Sequence, residues 1–279
     1  MLSLIKADLR RIFKDRLLLI MGILAVSFAI ATPLLYAIIL AGTNAVQIDM
    51  LTDMLSGYFS GKTQFFGSFP IGNNMGLIAP VFIIIVMCKD FSYGTVRNKI
   101  ISGKSRTAIF MSLFISCSIV FIAVMMLHAF VTLGFSLIFF DYQSTPFTVS
   151  DFWYFMESLG FEILMLLCVS AIMSWLCATK KNTGLAIVLY VAFAFGLTLA
   201  GSVTQMVLGV MNAFEGNDSD FLFALRFVDR INIGNSSAYI GNGSEYTLED
   251  VLYLTISPII GILGFTGLGL HNFNKKDLK

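Results

Sequence analysis

Charge is what this chain has least of. Only 13% of its 279 residues are Asp, Glu, Lys or Arg, against 57% hydrophobic, whereas a soluble domain carries roughly 25% charged residues. That shortage excludes an ordinary water-soluble globule and predicts an integral membrane protein. Cysteine is scarce too, and Cys88, Cys117, Cys168 and Cys177 fall inside or at the inner edges of apolar runs without paired metal-ligand spacing. They read as small packing residues. There is no Gly-x-x-x-x-Gly-Lys-Ser/Thr sequence, and every polar segment is too short for a nucleotide-binding domain. Any ATP hydrolysis must therefore come from another chain. A His-Glu-x-x-His helix is also missing, which argues against a metalloprotease. No small-residue cleavage site follows the first apolar run closely, so no removable signal peptide is expected.

What the chain has instead is long apolar runs and 27 phenylalanines. Crossing a hydrocarbon core of about 30 Å at 1.5 Å per helical residue takes about 20 residues. Six runs meet that length, over about 17–41, 70–88, 107–140, 152–178, 183–211 and 251–270. Pro33 predicts a kink in the first. The second opens with Gly72-x-x-x-Gly76, and the last contains Gly261, Gly264, Gly267 and Gly269, residues that permit close helix approach. The fold class expected is all-α integral membrane, with residues 1–279 forming a single transmembrane domain.

Before the first run, residues 1–16 place Leu2, Ile5, Leu9, Ile12 and Phe13 at helical spacing, with Lys6, Arg10, Arg11 and Lys14 on the other face. Two readings stand: an amphipathic helix lying on the membrane surface, or a charged topogenic flank. Two longer polar segments, 42–69 and 212–250, are expected on the outer face. A short helix is expected over Ile48 to Leu55, and an interfacial or re-entrant helix that carries Phe221, Leu222, Leu225 and Val228.

The net charge of +1 says little as a total; its distribution says more. Lys6, Arg10, Arg11, Lys14 and Arg16 lie in the head. Lys89, Arg97, Lys99, Lys104 and Arg106 lie between the second and third runs. Lys180 and Lys181 follow the fourth run, and Lys275, Lys276 and Lys279 the sixth. Of the 18 basic residues, only Lys62, Arg226 and Arg230 fall in the intervening segments. By the positive-inside rule, both termini are expected in the cytoplasm and the chain crosses the cell membrane six times; a bacterial membrane is the expected setting.

The basic island at 89–106 is too charged for lipid and too short for a domain. Ser92 or Asp90 can cap a helix starting near Tyr93, Gly103 can end it, and Tyr93, Val96 and Ile100 share a stripe opposite Arg97 and Lys104. The island is then either a force-receiving helix tied to two spans or a plain basic loop touching headgroups. The segment Asp90-x-x-x-Gly94-Thr95-Val96-Arg97-Asn98-Lys99-Ile100-Ile101-Ser102-Gly103-Lys104-Ser105-Arg106 resembles the coupling segment of type-two ATP-binding-cassette (ABC) export permeases. The likeness lies in the acidic residue, the Gly-Thr pair and the terminal Ser-Arg. In that family the acidic position is often glutamate, so Asp90 is a shorter variant. The order of parts is similar as well: amphipathic head, six spans, an island between the second and third, and an outer segment before the last.

The resemblance implies a transport subunit, not an enzyme, that pairs with a second permease as a homo- or heterodimer and with two cytoplasmic ABC ATPase subunits. It implies that Asp90, Tyr93, Gly94, Thr95, Val96, Arg97, Lys99, Ile100, Lys104 and Arg106 face that ATPase. ATP and magnesium would be held by the ATPase, with no cofactor on this chain. Membrane lipid is the other expected partner, and no nucleic acid.

Three residues are candidates for a translocation path: His128, Glu157 and Glu162. Glu162 is either a buried contact or, if the fourth span starts late, an interfacial residue beside Glu157; an ionised mid-bilayer side chain costs about 2.5–3.5 kcal/mol. His128 reads as a hydrogen-bonded core residue ahead of a proton relay. The absence of paired deep charges points to a hydrophobic or amphipathic cargo such as a peptide, drug or lipid-like compound. The rival classes are a six-span intramembrane protease, suggested by Gly134-Phe135-Ser136-Leu137 with His271, and a non-transporting scaffold. Topology places Ser136 and His271 on opposite faces.

Overall fold

The computed structural model describes residues 1–45, 59–92, 94–143, 145–180, 182–214, 220–234, 239–241 and 245–275. Among them every regular element is a helix: α1 (Leu2–Phe13), α2 (Arg16–Ala45), α3 (Gly61–Phe66), α4 (Asn74–Ser92), α5 (Thr95–Ile101), α6 (Arg106–Phe139), α7 (Val149–Thr179), α8 (Thr183–Phe214), α9 (Asp220–Ile231) and α10 (Leu248–Lys275). Helices α2, α4, α6, α7, α8 and α10 are long and apolar enough to cross a membrane. A spanning segment must satisfy its own backbone polar groups, and a helix does so within itself. The helix expected over Ile48 to Leu55 lies outside the described residues.

Local signals set several helix ends. Ser105 accepts from the Ala108 amide at the start of α6. Thr148 and Asp151 form a reciprocal capping box at the start of α7, which puts that helix three residues ahead of the expected position 152. Helix α2 continues through Pro33.

Helices α4, α6 and α7 bury more than half of their most apolar stretches, whereas α2, α8 and α10 bury less than a quarter. The first three form the centre, and the others surround them with exposed Leu, Ile, Val and Phe. Because lipid is as apolar as leucine, such contacts are held by close packing rather than by expulsion of water. Helix α10 packs most extensively on α7. A Cβ at Gly261 would meet Cys168 Sγ at 2.4 Å and one at Gly269 would meet Phe110 Cζ at 2.7 Å, while Gly264 and Gly267 face open space. Gly72 approaches Thr198 of α8, whereas Gly76 fits against the carbonyl of Pro70 in its own chain. Gly72, in the turn before α4, is therefore the glycine of that pair that approaches another long helix.

Successive long helices alternate in direction. One end of the bundle gathers the α1–α2 junction, α5, the start of α6 and the end of α10. There Lys89 meets Asp15, Asn272 donates to Thr179, and Arg106 donates to the Asn274 carbonyl. We call it the basic end. At the far end, the Gly61 and Lys62 amides donate to the carbonyls of Asp141 and Tyr142, and Tyr246 stacks on Tyr154. The stretch around α3 seals this end with Phe65, Phe66 and Phe69.

Helix α9 dips into the bundle. Beyond its end, Asn232 donates to the carbonyl of Leu197, fourteen residues or about 21 Å along α8. Its packing face differs from the expected stripe. Leu222 and Asp229 are buried, but Phe221 and Val228 are exposed. The inward face is the one from which Asp229 accepts the Tyr239 hydroxyl, so a polar contact sets the rotation.

Candidate functional site

The chemistry at the basic end begins on α1. Asp8, Arg11 and Asp15 recur at three- and four-residue spacing, which sets them on one side of the helix and its exit. Each finds an opposite charge on the neighbouring segment. Lys99 Nζ lies 2.5 Å from Asp8 Oδ1, and Ser112 donates to Asp8 Oδ2 at 2.7 Å. Arg11 grips Asp90 with both terminal nitrogens, one on each carboxylate oxygen. Lys89 Nζ lies 2.9 Å from Asp15 Oδ2. Three carboxylates thus meet three cations across the joints between α1, α4 and α5. Asp8 and Asp90 are buried, so removing one partner would strand a charge that water cannot reach.

This network sets which side of the head packs on the bundle. Of the stripe Leu2, Ile5, Leu9, Ile12 and Phe13, only Ile12 is buried; Ile5 and Leu9 are half-buried, and Leu2 and Phe13 are exposed. Leu4, Asp8 and Ile12 turn inward instead. The ion pairs fix the rotation, because a buried Asp8 has to face Lys99 and Ser112. Asp8, Asp15 and Ser112 were not among the expected site residues. Their sequence signal is the 8, 11, 15 spacing of charge within an otherwise apolar helix side.

Asp90 is also reassigned. It caps nothing, because α4 continues to Ser92 and its carboxylate is taken by Arg11. The short helix α5 starts at Thr95, behind Gly94, whose φ of 70° lies in the left-handed region that favours glycine. Gly103, at φ 82°, follows its end. Tyr93 lies outside the described residues. Val96 is buried among Ile109, Phe110, Leu113, Ala178 and Phe273, with Ile100 packed against the same cluster. Lys99 is held by Asp8 and Arg106 by the Asn274 carbonyl. Arg97, Ile101 and Lys104 are exposed. The island therefore has a tied face and an open face, with cations on the open one.

The three path candidates do not converge. Glu157 is exposed on α7. Glu162 is 1% exposed, and neither carboxyl oxygen has a hydrogen-bond partner among the described residues. It lies thirteen residues, about 20 Å, from the helix start, which replaces the interfacial reading with a deep one. His128 is buried on α6, its Nδ1 2.8 Å from the Ala25 carbonyl, and borders a separate far-end cavity of about 480 Å³ that Glu162 does not line. The four cysteines are buried, and Cys88 Sγ lies 3.4 Å from Cys177 Sγ. Among the described residues no group of three or more His, Cys, Asp or Glu could hold a metal ion.

Fold and composition together define a multi-pass helical membrane protein. The chain belongs to the family described as "Protein of unknown function (DUF2705)", whose model matches residues 34–279. That range contains the island and every helix from α3 to α10. No curated protein matches the chain.

Proposed function

We propose that this chain is the membrane-spanning permease subunit of a type-two ABC exporter, driven by ATP hydrolysis in a separate cytoplasmic ATPase. The observation that carries this reading is the division of the island into two faces. A partner pressing on Arg97, Ile101 and Lys104 pushes a helix that cannot yield alone. Lys99 ties it to α1, Val96 and Ile100 tie it to α6 and α10, and the same α1 reaches back to α4 through Arg11 and Asp90. A plain headgroup-touching loop needs cations but not this set of ties. On the positive-inside rule the basic end faces the cytoplasm of the cell membrane. In this reading α1 rests at that membrane surface and the island is the coupling helix.

The proposed cargo is hydrophobic or amphipathic, carried outward at the interface with a second permease subunit. The protease alternative has less support, since Ser136 donates to the Leu133 carbonyl near the far end of α6 while His271 sits near the basic end of α10. The test is co-purification. The wild-type chain should retain an ABC ATPase encoded beside it, and Arg97→Glu with Lys104→Glu should release that ATPase while the melting temperature holds. Equal ATPase recovery and equal transport by the double variant would reject the proposal.

A further inference from the structure

The far-end cavity is not accounted for by the coupling reading. It occupies about 480 Å³, within the range of roughly 300–1,000 Å³ usual for small-molecule sites. It lies between α2, the α3 segment, the start of α4 and α6, and none of its lining side chains is charged.

Its hydrogen-bonding groups are neutral and include both donors and acceptors. The Thr32 hydroxyl donates to the Phe28 carbonyl, and the Thr132 hydroxyl to that of His128. The Asn74 amide donates to Thr32 Oγ1, and Gln64 Nε2 to the Phe59 carbonyl. One hydrogen of each group is committed to the protein; the second amide hydrogens of Gln64 and Asn74 remain available, and so do unfilled acceptors. Gln64 is 5% exposed and its Oε1 has no partner among the described residues. The Ala25 carbonyl can only accept, so His128 Nδ1 carries the hydrogen. In the neutral ring that leaves Nε2 as a bare acceptor, unpartnered among the described residues. One wall is flat and aromatic, with Tyr36 stacked on Phe59 at 4.8 Å between ring centres.

We propose that this cavity binds an uncharged polyhydroxyl group, either a hexose ring in solution or the same ring on a glycolipid head. Hydroxyl hydrogens satisfy Gln64 Oε1 and His128 Nε2, and the C–H face of the ring lies on the Tyr36–Phe59 wall. An anion finds no cation in the lining to offset its desolvation. An ammonium finds no carboxylate to offset its desolvation. A buried acceptor without a partner costs stability, which fits a site shaped for a ligand that completes it. The inference is independent of the coupling reading, because binding is measured on this chain without any ATPase.

The test uses the full chain in phospholipid nanodiscs, prepared without sugar-headed detergent. Methyl glucoside is titrated by saturation-transfer NMR, with butylammonium and butyrate as charged controls. A glucosyl diacylglycerol in the disc is followed by the melting temperature. Saturable binding of the soluble sugar identifies the free ring as sufficient, and binding of the lipid alone identifies the glycolipid as the source. Gln64→Met should weaken either by about tenfold, the factor of one ~1.4 kcal/mol interaction, while a cooperative melt without ligand shows that the variant still folds after losing the donation to the Phe59 carbonyl. Failure of both sugar probes to saturate, competition by butylammonium, or undiminished binding to Gln64→Met would overturn the proposal.

Discussion

Arg11 and Asp90 are seventy-nine positions apart, yet the guanidinium of one closes on both carboxylate oxygens of the other. Asp90 is buried while Arg11 keeps partial contact with solvent. Truncating the arginine therefore strands a buried charge, whereas truncating both removes the problem with the partner. Arg11→Ala should cost about 3 kcal/mol, and Arg11→Ala with Asp90→Ala markedly less than the sum of the two single changes. Thermal unfolding of the three variants in nanodiscs gives the coupling directly. Simple additivity would show that the pair does not act as a unit.

Asp8 carries two contacts of unequal weight. Losing Lys99 leaves its carboxylate buried without an opposite charge, while losing Ser112 removes one hydrogen bond. Lys99→Met is expected to destabilise by about 3–5 kcal/mol and Ser112→Ala by about 1–3 kcal/mol. Chemical denaturation in a fixed detergent would rank them. A larger loss for the serine variant would contradict the charge assignment.

Acid should loosen the third pair. Burial alone pushes the Asp15 carboxyl up, but the Leu17 amide and the Lys89 ammonium outweigh it and hold the carboxyl below its ordinary value. A depressed carboxylate contributes stability that is present above its unfolded value of about 4 and is lost as pH falls through the folded value. The melting temperature should keep the full, constant contribution of this pair between neutral pH and about 5, then decline below about 4. Lys89→Met should lower stability at neutral pH and flatten that acid decline. An unchanged acid limb in the variant would assign the effect to other groups.

Two glycines on α10 offer a matched contrast. Gly261 faces Cys168 Sγ and has no room for a side chain, while Gly264 faces open space. Gly261→Val should cost about 1–3 kcal/mol through overpacking. Gly264→Val is expected to leave unfolding unchanged. Equal losses at both would place the crowded face elsewhere.

The six long helices were legible because an apolar run of spanning length has few alternatives. Less was legible where two distant segments decide the outcome. Asp8 and Asp15 look like stray acids in a basic head until the island is folded back upon it. The start of α7 was readable from Thr148 and Asp151, yet the apolar run pointed to residue 152. The depth of Glu162 depended on that same start. Helix α3 left its signal in Ser60, which accepts from the Thr63 amide, but in so short a helix such a cap is weak evidence. In α9 the hydrophobic stripe pointed to Phe221 and Val228, and a buried Asp229 turned the helix away from it.

Gly94 sits between α4 and α5 in a backbone conformation that other residues adopt at a cost. A glycine there makes the connection pliant. The stiffness of the joint must come from elsewhere, and the ion pairs from α1 are placed to supply it. The mechanical character of this end of the molecule is then set by side-chain charge rather than by the chain itself, as in a clutch that transmits only while its plates are held together.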